Sequence, residues 1–175
     1  ILATIRTSVE GGEASLDDEE YCALVAALAP HVGGVDVEIR RDGSSALIED
    51  AHAAGALVIG SFHDFEGTPS DDQLAEVLAD MNYAGADVLK FACMAHSATD
   101  AARVLGAQAW AREAYDRPVI GIAMGPNGAP TRLVGSALGS AATFATLPGA
   151  EGSAPGQFTI EQARAVLDIV EGSEA

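Results

Sequence analysis

The sequence predicts an α/β fold in which parallel strands alternate with helices, and three observations carry that prediction. Short apolar, β-rich runs recur along the 175 residues with longer helical segments between them. Each run is mostly apolar rather than alternating, as expected for parallel strands covered on both faces. Hydrophobic residues make up 49% and aromatics only 5%, which suits tight Ala, Val, Leu and Gly layers better than an aromatic-rich sandwich. At this length one domain spanning residues 1–175 is expected.

Strands are expected near 1–6, 35–40, 57–63, 86–93, 118–124 and 140–145, and helices near 17–29, 44–54, 71–84, 98–114, 131–138 and 160–172. Ser15 or Asp17 starts the first helix, Ser70 with Asp71 and Asp72 the third, and Thr159 with Glu161 the last. Gly67-Thr-Pro69, Gly125-Pro126 and Gly149 punctuate the joins. Six βα units fit either an open doubly wound sheet or most of a (β/α)8 TIM barrel. The first unit has no G-x-G-x-x-G turn, which argues against dinucleotide binding.

The formal charge of -17 repels polyanions, so nucleic-acid and anionic-membrane roles are disfavoured. The acidic run Asp17 to Glu20 reads as a solvated face and helix start. No apolar stretch reaches the roughly 20 residues that span a bilayer, and no signal-peptide pattern opens the chain, so a soluble cytoplasmic protein is expected. Cys22 and Cys93 lie in apolar surroundings and read as buried, reduced thiols. No His, Asp or Glu cluster has metal-ligand spacing. Ile1 already stands inside a strand-like run, so residues preceding it in the natural protein are expected.

A barrel places its chemistry at the C-terminal ends of its strands. Arg6, His63, Lys90 and Met124 fall at or near such ends, with Arg132 beyond the last of them. Lys90 is the only lysine among nine basic residues and interrupts an apolar strand, Ala86-Asp-Val-Leu-Lys-Phe-Ala-Cys93. Two readings of it stand: a snorkelling or ion-paired residue, with Asp87 as the partner, or a desolvated amine able to attack a ketone. His63 ends the preceding strand, where a proton carrier would be placed. His31, His52 and His96 read as surface or helix-end residues. Gly152-Ser-Ala-Pro-Gly-Gln157 is a small polar loop, either a connector or a lid.

Four stretches, His63-Asp-Phe-Glu-Gly-Thr-Pro69, Ala86-Asp-Val-Leu-Lys90, Gly139-Ser-Ala-Ala-Thr-Phe144 and Ser153-Ala-Pro-Gly-Gln157, resemble type I 3-dehydroquinate dehydratase in order and spacing. The resemblance covers essentially the whole chain. It implies a (β/α)8 barrel, six βα units of which are present, that converts 3-dehydroquinate to 3-dehydroshikimate in the shikimate pathway without metal or organic cofactor. It also implies a homodimer. Lys90 would form an imine with the substrate ketone, and His63 would move the protons. Arg132 matches an arginine that clamps the substrate carboxylate, Arg6 another substrate-contacting arginine, and Ser153 and Gln157 a loop over the site. Glu10 corresponds to a glutamate that orients the histidine, whereas Glu38-Ile-Arg40 is read as structural or rim. Thr131 and Gly152 stand where the family usually has Ser and Ala, and about two family βα units lie before the strand at 1–6. A class I aldolase-like barrel and a non-catalytic remnant or binding module are the competing readings.

Overall fold

The computed structural model describes residues 1–150, 152, 154, 156–170 and 172. Its strands are β1 (Leu2–Ala3), β2 (Gly34–Glu38), β3 (Leu57–Asp64), β4 (Val88–Met94) and β5 (Val119–Met124). Its helices are α1 (Asp18–Leu28), α2 (Ser44–Ala53), α3 (Asp71–Tyr83), α4 (Ala98–Ala114), α5 (Thr131–Val134) and α6 (Ile160–Val170). Two compact units divide the chain. The first comprises Ile1–His63 with Asp72–Lys90, the second Asp64–Asp71 with Phe91–Ala175.

In the first unit, β2 pairs in parallel with β1 on one side and β3 on the other; Glu38 is opposite Ser61. The backbone of Asp87, just before β4, continues the pattern by donating to Val58 O at 2.9 Å. Because side chains alternate along a strand, Asp36 and Glu38 share one face of β2, and Ser61 and His63 share one face of β3. Val35 and Val37 alternate with the two acids and are buried, as are Leu47 and Ile48 of α2 and Leu74 and Leu78 of α3. Gly60 allows the close packing of β3: a Cβ there would lie 2.8 Å from the Cβ of Ala86. The start of α1 is specified locally, because Asp17 Oδ1 accepts from Glu20 N at 2.8 Å while Glu20 Oε2 accepts from Asp17 N at 3.1 Å.

The first strand is shorter than its apolar run suggests. Pairing of β1 stops where Ala3 faces Val35, so further along β2 the Asp36 carbonyl and the Glu38 N–H have no strand partner from β1. The hydroxyl of Tyr21, a fully buried residue of α1, fills the gap: it accepts from Glu38 N at 3.0 Å and donates to Asp36 O at 3.3 Å. A buried backbone group left unpaired costs roughly as much as a lost hydrogen bond, so one phenol substitutes for one rung of the ladder.

In the second unit, the end of β4 runs into a turn whose Ala95 N donates to Met124 O at 3.1 Å. Phe91, Val104, Ala111 and Met124 are buried. The helix expected over 131–138 is four α-helical residues followed by a 3-10 turn, Gly135–Leu138. Among the described residues, the segment expected as a strand at 140–145 makes one bridge, Ser140 with Val119, where Ala141 N donates to Val119 O at 2.8 Å. Its end is drawn elsewhere, since Thr146 bridges Thr159. At α6, Gln162 rather than Glu161 closes the box with Thr159. Cys93 is buried as expected, but Cys22 on α1 is only half-buried because its side faces the Asp42 carbonyl near the surface. No helix among the described residues is long and apolar enough to cross a membrane.

Replacing Tyr21 by Phe keeps the packed ring but leaves the buried Glu38 N–H without its acceptor. A loss of about 1–3 kcal/mol in unfolding free energy is expected, measured by denaturant titration; an unchanged midpoint would show that the phenol is not the missing rung.

Candidate active site

The first unit gathers four strand-end side chains around Lys90. Its Nζ lies 2.9 Å from His63 Nε2, 3.2 Å from Ser61 Oγ and 3.4 Å from Asp36 Oδ2. Asp36 Oδ2 also accepts the Ser61 hydroxyl at 2.7 Å. Arg6 approaches from the segment after β1 and forks across the two acids of β2, Nη2 to Asp36 Oδ1 at 2.8 Å and Nη1 to Glu38 Oε2 at 2.7 Å. Glu38 in turn grips His63 twice: Oε1 accepts from the His63 backbone at 2.9 Å, and Oε2 lies 2.8 Å from Nδ1.

This geometry assigns the histidine tautomer. A carboxylate only accepts, so the proton sits on Nδ1 and Nε2 presents its lone pair toward Lys90. Arg6 Nη1 also lies 3.1 Å from Nδ1, but its proton is directed at Glu38.

Burial shapes the charges. Lys90 is 5% exposed, and desolvation, aided by the Arg6 guanidinium, holds its amine below the ordinary lysine value against the opposing pull of Asp36 and Glu38. Desolvation likewise pushes His63 down, with Lys90 and Arg6 adding to it and Glu38 resisting. For Asp36, burial works against ionisation, yet Lys90, Arg6 and the Ser61 hydrogen bond outweigh it and keep the carboxyl below its usual range. Burial thus favours the uncharged forms of the amine and the imidazole, with a carboxylate behind each.

Of the residues expected to act together, Arg6, His63 and Lys90 meet here. Arg132 lies in the second unit, 4% exposed on α5, and desolvation lowers its pKa from the ordinary arginine value. There it lines a cavity of about 220 Å³ with Ser136, Ser140 and Thr143. Its neighbour Thr131 is locked in place, accepting from Ala123 N at 3.2 Å and donating to Gly128 O at 2.7 Å. Gln157 is half-buried in the same unit; beside it Gly156, at φ +81°, comes so close to the loop after β5 that a Cβ would lie 2.8 Å from Gly125 O. Ser153 lies outside the described residues.

Three expectations need correction. Glu10 does not hold the histidine: the 3-10 turn Ser8–Glu10 carries it to Thr7 and to Arg41 Nε, 2.9 Å away. Glu38 holds it instead, and only its companion Arg40 is a rim residue, paired with Asp80 at 3.1 Å. β2 ends at Glu38, so the chain turns before Arg40 can share its face. Asp87 is likewise not the partner of Lys90; it caps Val58 N at 2.8 Å and pairs with His52 at 3.0 Å. Asp36 and Ser61 were missed altogether. The signal for Asp36 and Glu38 was present, since two acids spaced i, i+2 in an apolar strand fall on one face and need cations there. Among the described residues no group of three or more His, Cys, Asp or Glu is arranged to hold a metal ion.

A buried strand lysine beside a histidine, on an α/β scaffold of parallel strands, is an arrangement suited to an enzyme that uses an amine nucleophile and a proton carrier. The comparisons sharpen this: the family model for type I 3-dehydroquinase matches residues 1–174, and the chain belongs to that family. It is 42% identical over 175 residues to a 3-dehydroquinate dehydratase of Klebsiella pneumoniae, covering 97% of this chain and 69% of that protein. The crystal structure of 3-dehydroquinate dehydratase from Geobacillus kaustophilus superposes with a TM-score of 0.91 at 34% identity, over 99% of this chain and 68% of that one. The type I enzyme from Clostridium difficile, solved with covalent modified comenic acid, gives 0.90 at 31% identity, over 99% and 69%. The fold is thus α/β of the TIM-barrel type, and the chain is a lyase.

Glu38→Gln removes the carboxylate that resists the downward shift of His63. The imidazole is expected to titrate lower still, followed by NMR of its ring protons; an upward or absent change would place the control of His63 elsewhere.

Proposed function

We propose that Lys90 and His63 carry out the family's reaction, the dehydration of 3-dehydroquinate to 3-dehydroshikimate in the shikimate pathway, through a lysine Schiff base. The observation that carries this assignment is the 2.9 Å approach of Lys90 Nζ to His63 Nε2 within a buried cluster. A neutral lysine attacks the substrate ketone, and loss of one water leaves an imine. The imine draws electrons from the adjacent carbon, so His63 Nε2 can take its proton. The resulting enamine expels the hydroxyl group on the next carbon, which leaves as water with the proton His63 has gained. Water then hydrolyses the conjugated imine and returns Lys90.

Glu38 keeps His63 in the tautomer that begins this cycle and balances the imidazolium that forms within it. Arg6 has its fork on Asp36 and Glu38 and is one-fifth exposed at its side chain; its remaining edge is proposed to meet substrate. Arg132 is proposed as the carboxylate clamp, supported by its Pro-Thr-Arg motif and by the suitability of a guanidinium for a two-oxygen anion. Ser153 and Gln157 are proposed as the loop residues that cover bound substrate, on the strength of the Ser-Ala-Pro-Gly-Gln motif. Family membership favours this reading over an aldolase-like or non-catalytic one. A single-domain homodimer in the cytoplasm is proposed by the same resemblance, and sedimentation at equilibrium tests the oligomer.

Incubation with 3-dehydroquinate followed by borohydride should add a reduced substrate mass to the peptide containing Lys90. Lys90→Ala should fold, lose that adduct and lose turnover, and His63→Ala should lower turnover by roughly 10²–10⁴-fold. An adduct on any other residue, or a Lys90→Ala protein that retains its rate, would refute the assignment.

A further inference from the structure

Ser61 makes no appearance in the reaction just described, although it is fully buried and touches two of the groups that matter most. Its hydroxyl stands between the lysine and its counter-ion. Oγ donates to Asp36 Oδ2 at 2.7 Å and lies 3.2 Å from Lys90 Nζ, while the direct distance from Nζ to Asp36 Oδ2 is 3.4 Å. A relaxed ammonium–carboxylate pair closes to about 2.7–2.9 Å. The other oxygen of Asp36 is held at 2.8 Å by Arg6.

We propose that Ser61 is a positioning residue that shares the charge of Asp36 and holds Lys90 back from a tight ion pair, so that the amine remains available as a nucleophile. The logic follows from what each side chain can donate. With Oδ1 committed to a guanidinium and Oδ2 accepting a short neutral hydrogen bond, Asp36 has less attraction left for a third donor. Lys90 also faces Glu38 from β2, His63 from β3 and Arg6 from the segment after β1. Arg6 opposes a charged amine, Glu38 favours one, and His63, neutral at Nε2, accepts from it. Removing the hydroxyl would let Nζ move onto Oδ2, stabilising the ammonium and removing the lone pair that attacks the ketone. Ser61 touches the attacking amine at 3.2 Å but forms no bond to substrate and moves no proton in this scheme. It acts through Asp36 and Lys90.

The inference rests on Lys90 being the imine-forming residue, but its first test does not. Since the chain has one lysine, isotope-labelled lysine gives a single side-chain signal that reports Lys90 without substrate. Ser61→Ala is expected to move the titration midpoint of that signal upward, and Ser61→Thr, which keeps the hydroxyl, to leave it near the wild-type position. In the second arm, borohydride trapping with 3-dehydroquinate is followed against pH. Ser61→Ala should be trapped several-fold more slowly at neutral pH and recover as the pH is raised, still at Lys90.

An unmoved or lowered midpoint in Ser61→Ala overturns the proposal, and so does a Ser61→Thr midpoint as high as that of the alanine variant, because the effect would then lie in packing. If the midpoints behave as expected but wild-type protein is never trapped at Lys90, the charge-sharing geometry stands and the Schiff-base reading falls.

Discussion

Asp36 and Glu38 stand on one face of one short strand, and the cluster around Lys90 is built on them. Each carboxylate is shared: Asp36 holds Arg6 and Ser61 and faces Lys90, and Glu38 holds Arg6 and His63. Two carboxylates thus meet a guanidinium and an amine with a histidine between, so each buried acid has a basic partner. Such clusters are costly to assemble but costlier to break, since removing one member of a buried pair commonly loses about 3–5 kcal/mol by stranding the other. The constraint passes outward from β2. Arg6 reaches both acids from the segment after β1, which stops pairing after Ala3, and Tyr21 completes the rung that β1 leaves open.

A second buried network secures that helix and its surroundings. Arg41 reaches Glu10 at 2.8 Å and Asp18 at 2.6 Å, contacts Thr7, and lays its guanidinium over the Tyr21 ring, 4.8 Å from the centroid. The segment bearing Arg6, the N-terminus of α1 and the turn after β2 are therefore tied to one cation. Glu10 belongs to this frame, one step removed from the histidine it was expected to touch. Rigidity here has a chemical use, because a proton carrier is effective only within hydrogen-bond reach of its target.

Much of this could be read in the sequence, and the reasons for the rest are specific. Lys90 and His63 were legible because a charged residue in an apolar strand, or a histidine at a strand end, has few ordinary explanations. The helices were legible to within a residue or two where caps such as Asp17 marked them. Glu38 was read with Arg40 as structural or rim from the pair's place between Arg6 and His63, and nothing local showed that Glu38 would hold His63 while the strand ended before Arg40. Ser61 was invisible, since a small polar residue in a strand has no distinctive cost until its neighbours are known. The last expected strand failed for a related reason: its residues have the right character, but after one rung Thr146 finds a different partner in Thr159.

The Tyr21 hydroxyl has a consequence for how this protein can vary. A helix advances about 1.5 Å and turns about 100° per residue, so inserting or deleting one residue in α1 upstream of Tyr21 would swing the phenol off β2 entirely. In this part of the chain the helix must keep its count, because a side chain of α1, where β1 has stopped, meets the end of β2.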